Sequence, residues 1–187
     1  MTRIIYPHVS TPLTRLVPTR VRFGDAVLDE LEERGLSGLP SRDVFRSLWP
    51  KEHERVSAQF LIQGGDGEVV GYSSLHALGL NSRHVDCSVV ADPVRTDDAV
   101  LAHAYALAIN YAFAMWGVRK INFWTVERSL SALRAVSSNV VREGLLTEYV
   151  LDEGRLRDVS VFAVFRDDWD HGGAGFVEEA VGAGAAG

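Results

Sequence analysis

The sequence predicts an α/β (α+β) domain in which a mixed central sheet of about seven strands carries helices on both faces. Three observations predict it. Short β-rich runs and helical stretches follow one another in the order β α α β β β α β α β β. Residues 85–113 read as a strand–loop–helix unit, with the apolar run Val85 to Ala91 stopped by Asp92-Pro93 and followed by the longest helical pattern of the chain. Two final strands flank the turn Asp152-Glu153-Gly154.

Taken in order, Leu13 to Arg22 mixes apolar and basic residues and reads as an edge strand, with Pro18 limiting its pairing. Asp25 to Arg34 is a polar-rich helix closed by Gly35. Ser41 caps a second short helix, RDVFRSLW, which must end near Pro50. Val56 to Gln63 and Glu68 to Leu78 are strands joined through Gly64-Gly65-Asp66-Gly67. In the long helix, residues 98–116, Leu101, Ala104, Tyr105, Ala108, Tyr111, Ala112 and Met115 keep helical spacing, and the alanines allow close approach to a sheet. Lys120 to Val126 is a strand, Ser129 to Arg142 a fourth helix, and Leu145 to Leu151 with Asp158 to Phe165 the closing hairpin. Residues 1–169 form one domain by this reading, and 170–187, mostly Gly and Ala, a flexible tail.

Composition narrows the class. A net charge of −6 argues against nucleic-acid affinity carried by overall charge, although a local basic patch stays open. No apolar run is long enough to span a membrane, and the N-terminus lacks a signal-peptide core, so a cytoplasmic location is expected. The single cysteine, Cys87, allows no internal disulfide and no metal cluster, and inside an apolar strand it reads as a small buried thiol. No metal site is expected.

The start of the long helix should offer free backbone N–H groups and a positive dipole end, the ingredients of an anion site. Yet Asp97 and Asp98 stand where an anion would arrive, and no glycine stands between Arg95 and Leu101. At an effective dielectric near 20, a close like-charge pair costs roughly a few kcal/mol. Arg95, Arg128 and Arg134 could instead reach phosphates with side chains, or they are solvated surface residues.

The segments ADP before the loop, NYAF in the long helix, GVRKINFWTV and REGLLTEYVLDEGRLRDVSVFAVFRDDW resemble the GNAT superfamily of N-acyltransferases over roughly residues 13–169. Within it they are most similar to the branch that acetylates N-terminal amines of ribosomal proteins and related small acceptors. The resemblance implies a general base at Asp86, six positions before Asp92-Pro93, and a general acid at Ser131, which returns a proton to the thiolate. Arg128 stands where that branch has asparagine. The glycine-rich donor loop falls on Thr96, Asp97, Asp98, Ala99, Val100 and Leu101, and a Gly-Phe pair appears as Asn139-Val140. The splayed fourth strand at Ser88, Val89 and Val90 would hold the donor, with a backbone N–H near Ser88 or Val89 polarising its carbonyl.

Each residue also has a plainer role: Asp86 a hydrogen bond between strands, Ser131 a helix-surface serine. His84 is an alternative base, His103 is structural or exposed, and Tyr149 lines the acceptor side or sits in the core. Three functions follow. The favoured one is an N-acyltransferase with a non-standard donor, an acyl group on a carrier protein or an aminoacyl group on tRNA, contacted by the arginines. The others are a conventional acetyl-CoA-dependent N-acetyltransferase, with the donor a co-substrate and no cofactor tightly bound, and a catalytically inactive binding module. The acceptor would enter between Ser41 to Trp49 and Tyr149 to Arg157, where Arg42, Arg46 and Arg55 point to a small or acidic amine. The oligomeric state, a homodimer included, is left open.

Overall fold

The computed structural model describes residues 4–20, 22–52, 55–128 and 130–185. Met1 to Arg3, Val21 of the expected first strand, the expected helix start at Ser129 and the last two tail residues lie outside these. The elements are β1 (Thr14–Pro18), α1 (Asp25–Glu33), α2 (Arg42–Leu48), β2 (Val56–Gly64), β3 (Val69–Gly79), β4 (His84–Ala91), α3 (Asp98–Met115), β5 (Lys120–Thr125), α4 (Ser131–Val136), β6 (Val141–Asp152), β7 (Arg155–Phe165), α5 (Arg166–His171) and α6 (Gly173–Ala185). The seven strands form one sheet in the order β1-β2-β3-β4-β5-β7-β6. All neighbours are antiparallel except β4 and β5, the parallel pair that α3 connects.

Local chemistry explains the boundaries. Gly35, at φ 76°, follows α1 as expected. Ser41 caps α2 by accepting a hydrogen bond from the Val44 N–H, and Asp97 caps α3 by accepting one from the Val100 N–H at 2.8 Å. In the β6–β7 turn Glu153 and Gly154 both have positive φ, the two-residue geometry that matches the twist of a hairpin.

Two expectations are corrected. The fourth helix does not run to Arg142: it ends at Val136, and Val141 and Arg142 begin the edge strand β6. After Ser137-Ser138-Asn139, Val141 stands opposite Ala163 of β7 and Arg142 opposite Phe162, and a β-branched residue such as Val141 suits a strand better than a helix. The tail is also not a loose appendix. α6 packs on the sheet-distal side of α3, burying Ala174 and Val177 and setting Phe176 edge-on to His103 at 5.1 Å. The cause lies in α3 itself, whose Ala106, Leu107, Ile109 and Asn110 are buried along with the expected face. A helix apolar all round needs cover on both sides.

His103 is structural: its Nδ1 lies 2.8 Å from Thr11 Oγ1, joining the N-terminal segment to α3. Helices cover both faces of the sheet. α3, α4 and α6 share the larger core with β1–β5 and β7, and α1 and α2 share a second with Leu61 and Tyr72. At the α5–α6 junction a Cβ on Gly173 would run into the buried Trp169 ring. Gly173→Ala is therefore expected to cost about 1–3 kcal/mol in chemical denaturation; unchanged stability would show that the junction relaxes freely.

Candidate active site

β4 and β5 pair only through His84–Lys120, Val85–Ile121 and Asp86–Asn122, and beyond that point they part. From Cys87 onward β4 is paired with β3 alone. The Asp92 N–H bonds the Val70 carbonyl at 2.8 Å, which sets the alternation along this edge. Val90 and Ser88 direct their backbone groups to β3, while Val89 and Ala91 direct theirs into the gap. Of the two residues expected to offer a backbone N–H, Ser88 and Val89, it is Val89 whose N–H faces the gap.

The gap opens into a cleft of about 650 Å³, with β4 from Cys87 to Ala91 on one wall and Phe123 to Glu127 on the other. Thr96 and Asp98 lie at its α3 end, Ser131 at the start of α4, and Asp152 and Arg157 at the hairpin end. Ser41 Oγ donates to Asp152, and Arg157 pairs with the same carboxylate at 3.0 Å, so α2 and the hairpin tip are tied together. Asp98 and Ala99 retain N–H groups with no partner inside the helix, and Thr96 Oγ1 is buried without a partner among the described residues.

A second pocket of about 360 Å³ lies beside it, and Leu48, Trp49 and Trp124 line both. Asp86 lies in this pocket, accepting a hydrogen bond from Asn122 Nδ2 at 2.9 Å. Burial pushes its carboxyl above the usual carboxylate range, against the pull of Asn122 and of the nearby His84, Lys120 and Arg55. His76, directly across β3 from Asp86, lines the same pocket, and its Nε2 lies 3.1 Å from Ser88 Oγ. Burial, helped by Arg55, pushes His76 down to about 4, so it is neutral at physiological pH.

The expected site residues therefore divide. Ser88, Val89, Val90, Thr96, Asp98 and Ser131 line the cleft, and Asp86 and Tyr149 line the adjoining pocket. Asp97, Ala99 and Val100 lie behind the mouth in the first turn of α3, and His84 lines neither cavity.

The arginine cluster is not assembled. Arg95 turns back to donate to the Gly35 carbonyl at 2.8 Å and to approach Asp92, Arg134 stacks over the Phe162 ring at 5.9 Å, and Arg128 is exposed. None of the three lines the cleft. Arg42 and Arg46 are engaged with Asp29 and Glu32 and with Asp25, whereas Arg55, named with them, lines the second pocket. Sequence reasoning missed His76, Trp124 and Glu127. His76 lies in the third expected strand and Trp124 in the fifth, and nothing local marks their face as a pocket. Burial raises the Glu127 carboxyl, which lines the cleft.

No protein-family model and no curated protein matches the sequence. Solved structures do match in three dimensions. A mutant of the spermidine N-acetyltransferase SpeG from Vibrio cholerae superposes with a TM-score of 0.60 at 18% identity, over 84% of this chain and 96% of its own. The Vibrio cholerae spermidine N-acetyltransferase in complex with CoA and spermine gives 0.57 at 17%, over 84% and 98%. A probable GNAT-family acetyltransferase from Chromobacterium violaceum gives 0.59 at 17%, over 90% and 92%. The chain has the GNAT fold.

Proposed function

We propose that this protein is an N-acyltransferase that takes its acyl group from a thioester of the coenzyme A type and delivers it to an amine. The observation that carries the proposal is the parting of β4 from β5, with one cavity on each side of Trp124 and a carboxylate at the junction. The fold likeness to acetyltransferases supports it. The finer kinship with the enzymes that acetylate N-terminal amines rests on the sequence motifs alone.

In this proposal Asp86 takes the ammonium proton, directly or through one water, and leaves a neutral amine. The nitrogen attacks the thioester carbon, and the carbonyl oxygen gains charge beside the Val89 N–H. The C–S bond then breaks with its electron pair going to sulfur. Ser131, exposed at the start of α4, supplies the proton to that thiolate and regains one from solvent as the new amide sheds its extra proton.

Calorimetry with acetyl-CoA and CoA tests the donor. Micromolar binding is expected, and absence of binding at millimolar ligand removes this donor. A second reading has its own observation. Asp98, Glu127, Asp152 and Glu153 line the cleft against Arg157, which is already paired. Such a lining favours a pantetheine arm on a carrier protein, which would bring no nucleotide into the cleft, and it tells against aminoacyl-tRNA. Transfer from an acyl-carrier protein but not from acetyl-CoA is the result that would select it.

A further inference from the structure

The acceptor pocket differs from the cleft in composition. Three aromatic side chains, Trp49, Trp124 and Tyr149, line it together with Asp86 and His76. Trp124 and Tyr149 stand side by side with ring centroids 6.4 Å apart, and Trp49 is fixed against Phe45 at 5.3 Å and Tyr72 at 6.0 Å. Among the described lining residues, Asp86 and Glu52 face Lys51 and Arg55, so the wall is no acidic trough. A polyamine, with several ammonium groups along one chain, would meet two carboxylates, one of them half-buried, offset by two cations.

The polar floor is equally specific. Asp86, His76 and Ser88 lie on one face of the β3–β4 ladder, because Asp86 and Ser88 are two residues apart and His76 is the cross-strand partner of Asp86. His76 opens on the acceptor pocket and Ser88 on the donor cleft, with a hydrogen bond between them. The pair bridges the two cavities where an attacking nitrogen must cross. We infer that the acceptor is a monoamine with a flat apolar body, its nitrogen held between the Asp86 carboxylate and the Ser88 hydroxyl, and its body against Trp49, Trp124 and Tyr149.

His76 is then a positioning residue that acts through Ser88. With its Nε2–H donating to Ser88 Oγ, one lone pair of that oxygen is left to accept an N–H of the neutral amine. Two such contacts turn the nitrogen lone pair toward the cleft. The rings provide a low-entropy apolar wall and, before proton loss, attraction for the ammonium. This inference rests on the acceptor pocket of the proposed function but goes beyond it in naming the acceptor and the residues that select it.

The probes are 2-phenylethylamine and spermidine, titrated calorimetrically into the full chain. Phenylethylamine is expected to bind at least about tenfold tighter than spermidine, and Tyr149→Ala, at a half-exposed position, to remove about that factor. Ser88→Ala and His76→Ala should each weaken it roughly tenfold, with the double variant little worse than either, while His76→Gln, which keeps a donor, restores part of the loss. The imidazole nitrogen resonances of His76 should move on amine binding in the wild type and not in Ser88→Ala. Equal or tighter spermidine binding, or an unchanged affinity in Ser88→Ala, overturns the inference. Transfer is scored separately with acetyl-CoA. Phenylethylamine bound with neither amine acetylated would sink the acyltransferase reading and leave only the amine site standing, whereas preferential acetylation of spermidine would keep that reading and overturn the inference.

Discussion

Replacing Asp86 by asparagine is expected to abolish most acyl transfer while making the fold more stable at neutral pH. The loss follows from removing the proton acceptor at the junction of the two cavities, a role worth about 10²- to 10⁴-fold in rate. The gain follows from burial, which raises the carboxyl above its ordinary value despite Asn122 and the nearby cations. Folding then favours the protonated form. That contribution is fully present below the unfolded carboxylate pKa and is lost as pH rises through the higher folded value. As pH rises through that folded value the wild type must ionise a group that burial disfavours, and Asp86→Asn need not. The amide also brings an N–H to the pocket, where Asn122 Oδ1 is buried without a partner among the described residues. Melting curves at pH 7 and pH 4 should show the variant ahead at the higher pH and the difference shrinking at the lower. Full transfer activity in Asp86→Asn would move the base elsewhere.

The second large effect is acid sensitivity set by His76. Its folded pKa lies near 4, below the unfolded value near 6.5, so the unfolded chain binds the extra proton. The stability that comes from burying the neutral ring is complete above about pH 6.5 and is lost as pH falls toward 4, by roughly 3 kcal/mol across the whole interval. His103, also lowered by burial, contributes in the same direction. His76→Gln should flatten the fall between pH 6.5 and 4 without removing it. Denaturant unfolding at three pH values gives the measurement, and a fall as steep in His76→Gln as in the wild type would place the sensitivity in another group.

Much of this architecture was legible in the residues. Ser41 and Gly35 mark helix ends because each acts on its own neighbours, and the structure places them as cap and terminator. Asp152-Glu153-Gly154 works in the same way. Misreadings came where the partner is distant. Nothing within 137–142 announces that Val141 will face Ala163, and nothing in a Gly/Ala tail announces that α3 has a second apolar side to cover.

The site divides along the same line. Asp86 and Ser131 are singled out by the family resemblance, which carries a position over wherever its motifs align. The partners of the arginines could not be read that way, since a side chain of that length takes whichever carbonyl, carboxylate or ring the fold brings near. For Arg95 that is Gly35, sixty positions away. His76 and Trp124 needed the packing of α2 against the sheet before their face became a pocket.

The three-rung join between β4 and β5 has a mechanical meaning as well. On one side lie β1 to β4, each strand the antiparallel neighbour of the next, and on the other β5 to β7. The sheet is thus a four-stranded meander and a three-stranded leaf of order β5-β7-β6, hinged on three residue pairs and one crossing helix. Both substrates would be grasped at that hinge, with Ser88 and Asp86 on one leaf and Trp124 and Ser131 on the other. Occupancy should therefore act as a splint. Amide exchange along residues 87–91 and 122–126 is expected to slow together when the cleft is filled, because opening either leaf would break contacts with the same bound molecule.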